Sequence, residues 1–149
     1  MFGSPGVAYV YLVYGMHNCL NVVTEADGRP AALLIRAMEP VCGADGMRSS
    51  RLGLTRAGAA GRERTEALQT SRLAAGPGLV CAALSVDRSW NGADLCDPTS
   101  DLRLEMAPDD EAWPVATAPR VGIAYAPEPW LSMSWRFFVP GNPSLSVTK

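Results

Sequence analysis

The residues best suited to chemistry sit near the start of the chain. Ala8-Tyr-Val-Tyr-Leu-Val-Tyr14 is followed at once by Gly15-Met16-His17. A tyrosine and a methionine around a glycine put bulky apolar side chains at a hairpin tip, and exposed wedges of that kind are what minor-groove proteins insert between base steps. The same residues suit a plainer arrangement, folded back onto a sheet, which is the more common fate of Tyr and Met beside a turn. Patterning alone leaves both open and favours the second.

The elements that must position these residues read as follows. Residues 8–14 are aromatic and β-branched, as are residues 18–24 in part, so both are predicted strands joined by a tight hairpin over residues 15–17. Asp27-Gly28 is a turn signal, and residues 31–37 continue as a third, apolar strand carrying Arg36 near its end. Helices are predicted over residues 43–52 and 63–73, with a Gly/Ala/Arg loop between them. Gly76-Pro77-Gly78 opens a short buried helix over residues 79–86, since proline is tolerated in a first turn. Asn91-Gly92 marks another turn. Leu102, Leu104 and Met106 alternate with charged residues at period two, which predicts a half-exposed strand. Residues 120–125 and 135–139 are predicted as two further strands around a Pro-rich loop. Strands, then helices, then strands give the α+β class.

The chain has 149 residues, the size of one ordinary domain, and 48% apolar residues supply a core. Its longest apolar run, residues 7–13, is too short to span a bilayer and follows no charged leader. A soluble, cytoplasmic protein is therefore expected, nucleoid-associated if bacterial. Four cysteines without a C-x-x-C pair and a single histidine predict no metal site and thiols that are reduced and mostly buried. Net charge is −2, but its distribution is uneven. Six arginines (48, 51, 56, 62, 64 and 72) face only Glu63 and Glu66, whereas residues 87–113 hold eight acids against two arginines. One phosphate-facing side is compatible with this polarity, and so is a merely solvated, arginine-rich helix pair.

Residues 1–23, M-F-G-S-P-G-V-A-Y-V-Y-L-V-Y-G-M-H-N-C-L-N-V-V, closely resemble the signature stretch of the alkyladenine (3-methyladenine) DNA glycosylase family, of mammalian type. The resemblance continues through L-L-I-R-A-M-E-P (33–40), A-G-P-G-L-V-C-A-A-L (75–84), P-R-V-G-I (119–123) and W-R-F-F-V-P-G-N-P-S-L-S (135–146), in family order. It implies a single α+β domain over residues 1–149, built on a curved, mainly antiparallel sheet with flanking helices and a protruding hairpin. It also implies a base-excision-repair enzyme that flips an alkylated purine out of double-stranded DNA and hydrolyses its N-glycosidic bond. Chemistry at the anomeric carbon is inaccessible inside the base stack, so the base must leave it. No cofactor is implied, nor any membrane or protein partner.

Carried over by position, the resemblance makes Tyr14 the intercalating residue with Met16 beside it, and Tyr11 one aromatic wall of the base pocket. An electron-poor alkylated ring would gain from such a face by cation–π stacking. Asn21 matches the residue set against the amino group of guanine. Arg36 lies where the family holds the attacking water, and Val121 where a backbone carbonyl does so. Gly76 and Gly78 match a loop that approaches DNA phosphates, although Leu79 stands where the family usually has lysine.

Hydrolysis through an oxocarbenium-like transition state needs a carboxylate general base. In the family this is a glutamate in an E-T-E-A-Y-like motif upstream of M-F-G, which this sequence does not contain. The second aromatic wall and a histidine of the same segment are absent with it. Thr24-Glu25-Ala26 falls in a turn and Glu39 in a block where glutamate is not the base, so neither receives the role. The resemblance thus implies an N-terminally truncated family domain, with an uncovered sheet edge, that does not cleave as it stands. Two rivals accompany this reading: a non-catalytic DNA- or lesion-binding module, and an inactive fragment.

Overall fold

The computed structural model describes residues 1–54, 58–107 and 113–145. Its first unit is the expected three-strand meander. β1 (Ala8–Val13) and β2 (His17–Val23) pair antiparallel with Tyr9 opposite Asn21, Tyr11 opposite Cys19 and Val13 opposite His17. The Met16 N–H donates to the Val13 carbonyl (3.0 Å), while Tyr14 and Gly15 take φ of 50° and 69°. Positive φ at both central residues is the mark of a type I′ turn, whose twist matches the strands it joins. β3 (Ala32–Leu34) pairs antiparallel with β2, and the Ile35 N–H extends the ladder to the Leu20 carbonyl (3.0 Å).

The third strand is shorter than the predicted 31–37. The edge of β2 before Leu20 belongs to a helix instead, α3 (Pro77–Ala83), which packs Gly78 on His17. The opposite edge of the sheet, on β1, is covered by the turn at Asn91-Gly92. The Ala8 N–H donates to the Ala93 carbonyl (2.8 Å), the Gly92 N–H to the Ala8 carbonyl (2.9 Å) and the Val10 N–H to Asn91 Oδ1 (3.0 Å). Covering an edge in this way removes a template for unwanted strand pairing.

Alternation along the strands separates two faces. Ala8, Val10 and Leu20 point to the core, where they meet Cys81 of α3 together with Val86 and Leu95. A second cluster, Ala74, Val80 and Ala83, joins α3 to Ile35 and to Met47 of α1 (Ala44–Leu54). The Val86 N–H closes α3 on the Cys81 carbonyl (2.8 Å) with Ser85 at φ 55°. That is a Schellman-type stop with serine where glycine is usual.

The second helix, α2 (Gly58–Glu66), starts five residues earlier than predicted, inside the supposed loop, and ends seven residues earlier. Its alanines and arginines are good helix formers. Its end is decided by Arg48 on α1, whose guanidinium donates to the carbonyls of Thr65 (3.1 Å), Glu66 (3.0 Å) and Leu68 (2.8 Å). Gln69 is then extended, and only a single 3-10 turn (Thr70–Arg72) remains of the predicted second half.

Two predicted strands are not formed. Residues 102–106 are irregular: Leu102 packs on the core, and the Leu104 N–H finds the Leu95 carbonyl (2.7 Å) without a continuing ladder. Residues 120–125 are broken by Gly122 at φ 80°, which extended strands do not tolerate. In their place β4 (Ala116–Ala118) pairs antiparallel with β5 (Arg136–Phe138), within the predicted 135–139. The class is α+β as expected, with antiparallel sheets of three and two strands in place of a single sheet. No helix among the described residues is long and apolar enough to cross a membrane.

Candidate functional site

The sheet face away from the core collects the residues that matter. Because directly opposed residues share a face, Tyr9 and Asn21, Tyr11 and Cys19, and Val13 and His17 line it in three rows. Leu34 lies opposite Asn21, and two residues on comes Arg36. Three residues singled out from sequence, Tyr11, Asn21 and Arg36, are thereby brought to one surface.

Tyr11 is 37% exposed and its ring stacks on Tyr9, with centroids 5.3 Å apart and planes 28° from parallel. Burial holds its phenol above the ordinary value, reinforced by Cys19, Tyr9 and Tyr125. It is therefore a neutral, partly open aromatic face, suited to stacking. Asn21 is buried, and its amide nitrogen donates to the carbonyls of Tyr9 (3.0 Å) and Cys19 (3.3 Å). Two acceptors fix the side chain in one orientation. Arg36 is half-buried. Burial pushes the Cys19 thiol up, and the positive charge of Arg36 opposes the shift.

At the end of this face the hairpin tip presents Tyr14 and Met16, 89% and 70% exposed. The fold-back arrangement is not adopted. Tyr14 holds positive φ, which costs a non-glycine residue roughly 1–2 kcal/mol, and points an aromatic ring into solvent. Strain of this kind at an exposed apolar residue is a pointer to use.

The remaining candidates are placed differently. Gly76 is buried and its carbonyl accepts from Val80 (2.8 Å) at the start of α3. Gly78 is half-buried, and a Cβ there would lie 3.1 Å from His17 Cβ, so close packing on the hairpin is one reason for glycine. Val121 is half-buried in the β4–β5 connection. Tyr125, in the same connection and 86% exposed, is the residue there whose charge is felt at Tyr11. Sequence reasoning assigned no role to Tyr9, Cys19 or Tyr125. Tyr9 and Cys19 were within reach of the hairpin register, two residues before Tyr11 and directly across from it. Tyr125 carried no local signal.

Among the described residues no group of three or more His, Cys, Asp and Glu could hold a metal ion. All four cysteines are free, two buried (Cys19, Cys81) and two exposed (Cys42, Cys96), so mostly buried thiols is correct for only half of them. Glu25 is exposed in the turn after β2, and Glu39 accepts from the Asn142 amide (2.6 Å).

The phosphate-facing side that the charge distribution permitted loses three of its six arginines to the fold. Arg48 and Arg51 of α1, and Arg72, donate to backbone carbonyls, Arg51 to those of Arg72 (3.2 Å) and Leu73 (3.1 Å), Arg72 to that of Leu145 (3.1 Å). Arg62 and Arg64 are exposed on α2 beside Glu63 and Glu66. Arg56, Asp109, Asp110, Glu111, Ser146 and Lys149 lie outside the described residues.

Comparison with known proteins matches the chain to one family. The model of the methylpurine-DNA glycosylases matches residues 1–143. A protein of Methanocella arvoryzae is 44% identical over 146 residues, which are 98% of this chain and 64% of that protein. Relatives from Alkaliphilus oremlandii (41% over 146 residues, 98% and 67%) and Bacillus cereus (40% over 150 residues, 98% and 68%) are similar. All three are 3-methyladenine DNA glycosylases by name. The chain spans about two thirds of the length of these relatives. With a match across nearly all of its residues, the chain belongs to the methylpurine-DNA glycosylase family.

Proposed function

We propose that this chain carries the lesion-recognition face of a DNA N-glycosylase of base excision repair, a hydrolase acting on alkylated purines of the 3-methyladenine type in double-stranded DNA. The observation that carries it is the placement of Tyr11, Asn21 and Arg36 on one sheet face that runs out to an exposed, strained Tyr14. Tyr14 with Met16 would occupy the gap left by an extruded nucleotide. Tyr11 would stack on the extruded base, most favourably when alkylation leaves the ring cationic. Asn21 is held by two carbonyls and does not swing aside, so it would reject the amino group of guanine by crowding. Arg36 and the Val121 carbonyl would position water. Gly76 and Gly78 would contribute to DNA contact less through their own backbone than by seating α3 against the hairpin. Cytoplasmic placement, nucleoid-associated if the source is bacterial, accords with such a substrate.

Neither Glu25 nor Glu39 is taken as general base, and residues 1–149 by themselves are expected to bind without releasing base. Binding is tested by fluorescence anisotropy on a duplex with an abasic-site analogue against the undamaged duplex, across a salt series. Preferential, salt-dependent binding that weakens about tenfold in Tyr14→Ala supports the reading, tenfold being about 1.4 kcal/mol. Equal affinity for both duplexes sinks it. Base release from a 3-methyladenine duplex, lost on Arg36→Ala, would overturn the expectation that this chain does not cleave.

A further inference from the structure

Tyr9, which no sequence signal singled out, contacts two of the residues chosen from sequence, Tyr11 and Asn21. Its ring stacks against Tyr11, with centroids 5.3 Å apart and planes 28° from parallel, and its carbonyl accepts from the Asn21 amide at 3.0 Å. It is also directly opposite Asn21 in the register, so one β-bridge holds the two together. Tyr11 by itself would be a poor wall. It is more than a third exposed, and an aromatic side chain on an open sheet face keeps rotamer freedom that stacking on a ligand must remove. A second ring behind it confines that freedom before any base arrives.

We propose that Tyr9 is a positioning residue for the lesion pocket, its ring backing Tyr11 and its carbonyl anchoring Asn21. The proposal rests on the reading of Tyr11 and Asn21 as base-contacting residues. Its ring, not its hydroxyl, does the backing, and its main chain does the anchoring whatever the side chain. Tyr9 therefore governs affinity for an extruded base far more than affinity for DNA that has none.

The test compares two duplexes on the full chain. One carries 3-deaza-3-methyladenine, a cleavage-resistant isostere of the alkylated base, and the other an abasic-site analogue. Tyr9→Leu is expected to lower the lesion-to-abasic affinity ratio at least fivefold, and Tyr9→Phe to restore it. An unchanged ratio in Tyr9→Leu overturns the proposal while leaving the proposed function standing, and so does a loss in Tyr9→Phe equal to that in Tyr9→Leu. If the wild-type chain prefers neither modified duplex over undamaged DNA, the proposed function fails and takes this inference with it. Should Tyr9→Leu not melt cooperatively, the wild-type NMR spectrum decides. Tyr11 ring protons, assigned through Tyr11→Phe, are expected upfield under the Tyr9 ring current, and random-coil shifts overturn the proposal.

Discussion

The hairpin and the arginine-rich helices were both suited to DNA when read as sequence, and they differ in what their side chains are free to do. Arg48, Arg51 and Arg72 are cations engaged with backbone carbonyls that α2, the 3-10 turn and the C-terminal loop would otherwise leave open. They act as caps for a region whose helices bury almost nothing: α1 has no buried residue, and α2 buries only Gly61 and Thr65. The hairpin tip has no such employment. Tyr14 and Met16 stand in solvent, and the turn carries backbone strain to keep Tyr14 there. Charge density points to where cations are, whereas unengaged side chains point to where a ligand can be met.

The largest effect expected from breaking this contrast is at Arg48. Arg48→Ala should lower stability by about 2 kcal/mol, since hydrogen bonds from a charged donor contribute roughly 1.5–3 kcal/mol and three carbonyls lose their donor. Urea titration measures it. Unchanged stability combined with weaker, less salt-sensitive DNA binding would return Arg48 to the phosphate-facing role.

Tyr14→Asn should act in the opposite sense. Asn-Gly is the preferred type I′ pair, so the variant is expected to gain about 0.5–1 kcal/mol by relieving positive φ at a bulky residue. It should also lose about tenfold in affinity for the abasic duplex. A variant that loses stability, or keeps its affinity, removes the distinction between a strained functional tip and an ordinary turn.

On the core side of the same sheet, burial pushes the Cys81 thiol up to about 11 from an ordinary value near 9, with Cys19 adding to it. The neutral thiol is the form the fold favours. Stability from this source is thus complete below pH 9 and is lost as pH rises through about 11. The loss should be on the order of 1–2 kcal/mol. Denaturation midpoints between pH 8 and 11 should fall less steeply in Cys81→Ala, and identical slopes would exclude Cys81 as the cause.

The smallest effect is expected at Gly78. Alanine gains up to about 1 kcal/mol of helix propensity, but its Cβ would lie 3.1 Å from His17 Cβ, an atom fixed to the β2 backbone. Crowding of that kind costs about 1–3 kcal/mol, so Gly78→Ala should be mildly destabilising. A raised melting temperature would show that the helix and hairpin are less tightly seated than their packing implies.

The parts of the fold visible in sequence are those whose cause is local. Aromatic and β-branched residues and a Gly-containing turn specify β1 and β2 within a residue or two, and the meander follows from Asp27-Gly28. The alternation of Leu102, Leu104 and Met106 was equally clear and produced no strand, because a strand exists only where a partner supplies its ladder. Ala116–Ala118 had no strand signal, yet it pairs with Arg136–Phe138 because that partner is present. The end of α2 was out of reach for the same reason, being decided by an arginine 17 to 20 residues earlier in the chain.

The candidate site divides along the same line. By itself the sequence determined the hairpin, the resemblance to a family and therefore the identity of Tyr11, Tyr14, Asn21 and Arg36 as residues to follow. Strand propensity and turn chemistry are written in neighbouring residues, so they can be read there. Only the tertiary structure decided that Tyr14 is exposed, that Asn21 is locked by two carbonyls, that Tyr9 backs Tyr11 and that the arginines are engaged elsewhere. Those outcomes depend on which groups meet across the sheet and between helices. Hydrogen-bond partners and burial belong to pairs of distant residues, not to any one of them.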